Sequence, residues 1–433
     1  MFSKFRPISI SLSPNVEPDD IKLVFNLIIR PWLWKKGRAI REIEEEFKKY
    51  LGVKYAVSFN SGRSALYAIL KALNLEKDAE VLLQTPTCNA AINPILWLKL
   101  NPVYVDCDKD SFNMDIGDLK AKITPKTKIL MVQHTFGLPA FAKASAGKPA
   151  NEILGICQKN NLILIEDCAH ALGAEFNEQK VGTFGKAAFF SFSRDKIISS
   201  VYGGMAVTND GEIGKELQDL QKEFGACSYF WLFQQLLHPI FLNYIVLPAY
   251  NFLDLGKIFL VLFQWFNILP KAVSQKEKQG EKPDYFPKAL PNALAMMALN
   301  QFKKLDRFYQ HRRQLSRFYY KSLKGTKFEV SDDLFDENLA VKNVKHSFLR
   351  FSIGHPKAHE IIYQAWHKQN ILVGDWYTLP IIPCDTDLAK MRYEQGSCPN
   401  AEAVAKTTLN LPTHINISKT DAEKIVNFLM QWS

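Results

Sequence analysis

Residues 162–196, LILIEDCAHALGAEFNEQKVGTFGKAAFFSFSRDK, decide the fold. One apolar run, starting at Leu162, ends in Glu166 and Asp167. A second, AAFFSFS, ends shortly before Lys196. Short runs that are apolar on both faces read as strands buried in a parallel sheet. Ligands of such sheets sit beyond the carboxyl ends of the strands, so Asp167, His170, Ser191 and Lys196 are expected there together.

The pattern extends in both directions. YAVSF, EVLLQ, NPVYVDC and KILMVQ precede the stretch and GMAVTN follows it, with helical segments such as SALYAILKALNL and NEILGICQK between them. IREIEEEFKKYL carries Ile40, Ile43, Phe47 and Leu51 at helical spacing. Alternating strands and helices predict an α/β fold with a mostly parallel sheet. FAKASAGKPA, residues 141–150, reads as a flexible surface loop. After Pro291, ALAMMALNQFKKLDRFYQHRRQLSRFYYKSL reads as one long helix, with Lys303-Lys304 and Arg312-Arg313 on its solvated face. SFLRFSI, a helix over 357–368 and NILVGDW complete a small C-terminal α+β domain. The expected division is an N-terminal arm (1–20), a large domain (21–227), a hydrophobic insertion with its linker (228–286) and the small domain (287–433).

Composition bounds the rest. The 433 residues are 47% hydrophobic and 12% aromatic, which excludes intrinsic disorder. A net charge of +10 suits phosphate-bearing ligands, nucleic acid or an anionic membrane face, and no nucleic-acid motif is seen. Seven cysteines without a CxxC pair read as reduced thiols of a cytoplasmic protein. The start, MFSKFRPISISLSP, lacks a secretory apolar region.

Between Ser228 and Pro270 the only formal charges are Asp254 and Lys257. The first apolar block is broken by Pro239 and Pro248, and the second, from Ile258 to Leu269, is too short to span a bilayer. Two broken blocks with Trp and Tyr and flanking lysines read as a shallow hairpin in the headgroup region, a peripheral membrane contact through 228–270. The other readings are a subunit interface or buried insertion, and a true span.

The chemistry lies in three elements. SFNSGRSAL is a strand, a turn holding Ser61, Gly62, Arg63 and Ser64, and a helix whose free N–H groups form a phosphate cradle. Asp167 ends a strand, and Lys196 follows Ser191 ahead of Gly203-Gly204. A lysine amine, a carboxylate and a phosphate cradle are the requirements of pyridoxal 5′-phosphate. Each has an ordinary reading: a helix cap, a solvated lysine, a common helix N-terminus. Their conjunction on one parallel sheet points to the cofactor. His134 is expected near the pocket, in substrate contact or in a structural hydrogen bond, and Trp376 and Tyr377 are expected to wall the substrate site. His355 and His359 have a zinc-like i, i+4 spacing but lack the following Glu and a third ligand, so an exposed helix face and no metal are expected. His414 reads as structural.

These strings, with GRAIREIEEEFKKYLGVKYAVSFNSGRSAL, IEDCAHALGAEFNEQKVGTFG, FFSFSRDK, YGGMAVTND and GSCPNAEAVAKTTLNLPTHINIS, resemble the DegT/DnrJ/EryC1/StrS family of pyridoxal-phosphate-dependent sugar aminotransferases. The resemblance implies the type I fold of that cofactor's enzymes and a homodimer with its active site at the interface. Lys196 would be the Schiff-base lysine, Asp167 the partner of the pyridine nitrogen and His170 a neighbour of the ring oxygen. Ser191 and the Gly62-Arg63-Ser64 turn would hold the phosphate, with Cys88 where many members stack an aromatic. Leu172 departs from a histidine of many members. The usual Asn and Arg that reach the partner's phosphate are displaced by the insertion, with Lys288 as a substitute cation. Members that dehydrate carry His at the lysine position, so Lys196 points to transamination, from glutamate or glutamine to a nucleotide-linked ketosugar in cell-envelope polysaccharide or glycolipid biosynthesis. The alternative is a non-catalytic sensor or membrane-associated scaffold on the same fold. The expected location is the cytoplasm, at the inner face of the membrane.

Overall fold

The computed structural model describes residues 5–108, 112–142, 151–330, 335 and 343–433. Its centre is a seven-stranded sheet of β1 (Tyr55–Phe59), β2 (Glu80–Gln84), β3 (Asn101–Val105), β4 (Thr127–Gln133), β5 (Ile163–Asp167), β6 (Ala187–Ser191) and β7 (Gly204–Thr208). The order is β1-β7-β6-β5-β4-β2-β3, and every neighbouring pair is parallel except the two that involve β7. All seven expected strands are present, as is the mostly parallel α/β architecture.

The helices of this part are α1 (Pro18–Ile28), α2 (Ala39–Leu51), α3 (Gly62–Ala72), α4 (Asn89–Trp97), α5 (Ile116–Lys122), α6 (Asn151–Asn160) and α7 (Gly211–Phe224). Because strand side chains alternate, Phe59, Val81, Ile129 and Ile165 face α3, α4 and α7 on one side. On the other, Ala188 and Phe190 meet Ile43, Phe47 and Leu51 of α2, while Leu82, Leu130 and Leu164 meet α5 and α6. Of the expected loop 141–150, residues 143–150 lie outside the described residues. Phe141 and Ala142 are buried in the sheet's core and so are not surface loop.

The insertion forms α8 (Tyr229–Phe241), a π-helical turn (Leu242–Val246) and α9 (Leu255–Trp265). Pro239 lies inside α8 and does not break it, since the Leu242 N–H still reaches the carbonyls of His238 and Pro239. Among the described residues no helix is long and apolar enough to cross a membrane.

The long helix expected after Pro291 is two, α10 (Asn292–Phe302) and α11 (Leu305–Leu323). Lys304, at the break, is no solvated lysine: its ammonium meets Asp19 at 2.6 Å, Asp20 at 3.1 Å and Glu17 at 3.3 Å. Arg312 is likewise buried, donating to the Leu349 carbonyl and Thr413 (both 3.0 Å) and to Asn15 Oδ1 (2.9 Å). α10 packs on the α2 side of the large sheet. A separate core begins at Leu315, where α11, α12 (Ala358–Gln369) and α14 (Lys419–Leu429) cover the antiparallel pair β8 (Arg350–Gly354) and β9 (Thr408–Pro412). Between α12 and α14, α13 (Pro399–Thr407) leads into β9. His355 precedes α12, is buried and accepts the Lys357 N–H at 3.0 Å, while His359 Nε2 meets the Ala405 carbonyl at 3.3 Å. The expected exposed helix face therefore holds for His359, which is exposed on α12, and not for the buried His355. His414 is buried and donates to the Ser9 carbonyl at 2.7 Å.

Candidate active site

A cavity of about 500 Å³ opens at the carboxyl ends of β1, β5 and β6, and its floor includes Ser61, Gly62, Asp167, His170, Ser191 and Lys196. The turn from β1 into α3 is set by Ser61, whose Oγ caps the helix by accepting the Ser64 N–H at 3.0 Å. The N–H groups of Gly62 and Arg63 are thereby left without intrahelical partners, as in any first turn. Glycine is needed twice for this approach. A Cβ on Gly204 would lie 2.4 Å from the Ser61 carbonyl carbon, and one on Gly62 would lie 3.0 Å from Ser191 Cβ. Gly204 of β7 and Gly62 of the turn thus let the turn rest directly on the sheet.

Asp167 closes β5 and is buried, accepting the Ala169 N–H at 2.9 Å. Burial raises its carboxyl to about 6, against the opposing pull of that N–H and of Lys196. Lys196 is also buried. Desolvation lowers its amine to about 8, although Cys88, Asp167 and Asp195 favour the charged form. Its Nζ lies 5.1 Å from the centre of the Trp376 ring. Burial also holds His170 well below the usual imidazole range, with Lys196 and Arg350 acting in the same direction. Its Nδ1 accepts the Phe136 N–H at 3.3 Å, so the neutral ring carries its proton on Nε2.

The remaining candidates divide. Cys88, Trp376 and Tyr377 line the cavity, and Tyr377 Oη accepts from Gln133 Nε2 at 3.3 Å. Ser64 turns its hydroxyl to Asn60 Oδ1 at 2.7 Å. The Arg63 guanidinium lines the cavity but is ion-paired with the fully buried Glu277 and donates to the Ala272 carbonyl at 3.1 Å. It therefore grips the linker, leaving only its backbone at the cradle. His134 is no substrate contact: it is enclosed in the core, donating to Glu166 at 3.1 Å and accepting the Ala140 N–H at 2.9 Å. Lys288 donates to the Phe224 carbonyl of its own chain at 3.1 Å.

Sequence reasoning missed three contributors. Gln133 had a usable signal, since it sits at the carboxyl edge of a strand. Arg194, beside Lys196, donates to the Pro270 carbonyl at 2.7 Å. Asn15, from the N-terminal arm, donates to the carbonyls of Lys196 (2.5 Å) and Ile197 (3.1 Å) while accepting from Arg312; nothing local marks it. A further part of the lining comes from the insertion, with Leu242, Leu260, Leu269 and Val273 beside His238, Gln264 and Lys271.

These residues fit pyridoxal 5′-phosphate. A lysine of lowered basicity and a buried carboxylate share one cavity with two serine hydroxyls and a helix start that Gly62 and Gly204 let pack tightly on the strand ends. Arg194 Nε and Asp195 Oδ1 are buried without hydrogen-bond partners among the described residues, as expected beside a polar ligand.

The family model of the DegT/DnrJ/EryC1/StrS aminotransferase family matches residues 14–228 and 275–430. GDP-perosamine synthase of Caulobacter vibrioides is 34% identical over 209 residues, 48% of this chain and 54% of that protein. The UDP-N-acetyl-3-dehydro-alpha-D-glucosamine 3-aminotransferase of Acidithiobacillus ferrooxidans is 27% identical over 394 residues, 91% of this chain and 88% of that one. The Helicobacter pylori aminotransferase PseC, involved in pseudoaminic acid biosynthesis, superposes with a TM-score of 0.72 at 20% identity, covering 98% of this chain and 99% of that one.

Proposed function

Since the chain belongs to the DegT/DnrJ/EryC1/StrS aminotransferase family, we propose that it moves an amino group from glutamate or glutamine to the ketone of a nucleotide-linked sugar. The product would serve cell-envelope polysaccharide or glycolipid biosynthesis. The observation that carries this reading is the pairing of Lys196, lowered to about 8, with the buried Asp167 on one cavity floor. The names of the two curated relatives, one a GDP-sugar and one a UDP-sugar enzyme, support the acceptor class.

Pyridoxal 5′-phosphate, when bound, supplies an electron-withdrawing ring that stabilises negative charge beside the transferred nitrogen. Lys196 is the residue that would hold it covalently. With its basicity near ambient pH, the amine at Nζ can take a proton and return it. Asp167 would face the ring nitrogen as a carboxylate, and His170 would offer its Nε2–H to a ring oxygen. Ser61, Ser191 and the backbone of Gly62 and Arg63 would hold the phosphate. Trp376, Tyr377 and the insertion's part of the lining would exclude water and orient the acceptor.

The reading includes a homodimer with the site at its interface. An exposed apolar group on α1, its C-terminal cap and α8, namely Phe25, Ile29, Tyr229 and Phe230, supports a covered face there. It also includes the domain division at 227 and 286, a cytoplasmic location and peripheral contact with the inner membrane face. The test is spectroscopic. The purified chain given pyridoxal phosphate should turn yellow, lose that band in Lys196→Ala, bleach with an amino donor and recover with a nucleotide ketosugar. A chain that takes up no cofactor overturns the reading.

A further inference from the structure

The insertion lies outside the part of the chain that the family model matches, yet it supplies one wall of the cavity. Within it, α9 (LGKIFLVLFQW) is apolar except for Lys257 and Gln264, and Gly256 is its only buried residue. A helix of that composition needs a cover on every side. Three sides can be assigned. Phe263 packs on Phe241, with ring centres 4.6 Å apart, in a small core with Leu242 and Val246. Leu260 and Gln264, one turn apart, line the cavity. The third side, Ile258, Val261, Leu262 and Trp265, repeats at helical spacing and faces outward, Val261 65% and Trp265 77% exposed, with Leu253 and Phe266 exposed at its ends.

The chemistry of that outward side favours lipid over a second protein. Its only hydrogen-bonding side chain is the Trp265 indole, whereas protein interfaces carry about one hydrogen bond per 100–200 Å². The two charges of the segment cancel, Lys257 meeting Asp254 at 2.8 Å. The Lys257 ammonium lies between the rings of Tyr250 (5.5 Å) and Trp366 (5.7 Å), beside an exposed Tyr363, a lysine-and-aromatic rim suited to the headgroup layer. Eleven residues are too few to span a bilayer but suffice to lie along its surface. The chain's +10 charge complements an anionic surface.

We propose that α9 is both the lipid-docking helix and the acceptor-side wall, so that contact with an anionic bilayer steadies Leu260 and Gln264 and tightens acceptor binding. The docking deepens the peripheral contact proposed above, and the effect on the acceptor rests on the aminotransferase reading.

The experiment uses the full chain with pyridoxal phosphate bound. It is sedimented with phosphatidylglycerol/phosphatidylethanolamine vesicles and, separately, with phosphatidylcholine vesicles. The protein should pellet with the anionic vesicles, and Val261→Asp with Trp265→Asp should reduce the bound fraction about tenfold while leaving the cofactor band and oligomeric state unchanged. Anionic vesicles should lower the acceptor KM of the parent and not of the variant, with kcat unaltered. Failure to pellet, or pelleting that the variant retains, overturns the docking. A variant whose oligomeric state changes makes the face an interface between copies and also overturns it. A KM indifferent to vesicles overturns the coupling. Sedimentation does not depend on transamination, so absence of the cofactor band would count against the aminotransferase reading alone.

Discussion

Replacing Lys196 with methionine should make the cofactor-free protein more stable at neutral pH while abolishing transamination. The amine is lowered from 10.5 to about 8, chiefly by burial. A base whose folded pKa lies below its unfolded value penalises the folded state wherever the group is protonated. The penalty is complete below pH 8, fades as pH rises from 8 to 10.5, and is absent above. At about 1.4 kcal/mol per pH unit, it amounts to ~3 kcal/mol at pH 7 and to less than ~1 kcal/mol at pH 10. Methionine has a similar length and no charge, so its packing contribution is the same at both pH values and the difference isolates the charge. Urea unfolding of cofactor-free wild type and Lys196→Met at pH 7 and pH 10 reads this directly. The expected result is a gain of stability at pH 7 that shrinks by ~2 kcal/mol at pH 10. An equal gain at both values, or none at pH 7, would refute the claim that burial depresses this amine.

Two further substitutions probe the floor and its attachment to the wall. Gly204→Ala places a methyl 2.4 Å from the Ser61 carbonyl carbon. Overpacking of this kind costs about 1–3 kcal/mol, so cofactor affinity by titration should fall roughly tenfold, and unchanged affinity would show that the turn yields freely. Glu277→Ala strips the buried Arg63 guanidinium of its carboxylate and removes the acceptor of the Ser274 N–H and hydroxyl. Loss of one partner of a buried pair costs about 3–5 kcal/mol, which thermal unfolding should register as a clear drop in Tm.

What was legible in the sequence had a local cause. Each strand announced itself as a short apolar run, and Asp167, Ser191 and Lys196 stood at strand ends where a parallel sheet exposes its chemistry. Family strings then converted three residues into a cofactor. The misreadings share a different origin. Arg312 and Lys304 look like surface cations within any short window, and Arg63 like a cation for the phosphate. Each finds its partners far along the chain, Arg63 at Glu277, Arg312 at Asn15 and Lys304 at Glu17, Asp19 and Asp20. His134 follows a strand that ends in the cavity-lining Gln133, and the alternation of strand side chains alone turns one into the site and the other into the core.

The long-range pairs also explain how a segment outside the family pattern can join an active site without disturbing it. Arg63 and Tyr202, both lining the floor, hold the Ala272 carbonyl, Arg194 holds that of Pro270, and Lys278 is ion-paired with Asp385. The insertion is thus fastened by side chains at its exit, next to the cofactor cradle, while farther back Trp231 packs edge-on against Tyr202 with ring centres 5.3 Å apart and His238 meets the Ser13 hydroxyl at 3.0 Å. Anchoring of this kind, through carbonyls at the exit and ring packing behind it, leaves the chemistry of the floor to the family residues. The shape of the acceptor side then falls to residues 242–273, where substitutions should alter acceptor KM before they alter the cofactor band.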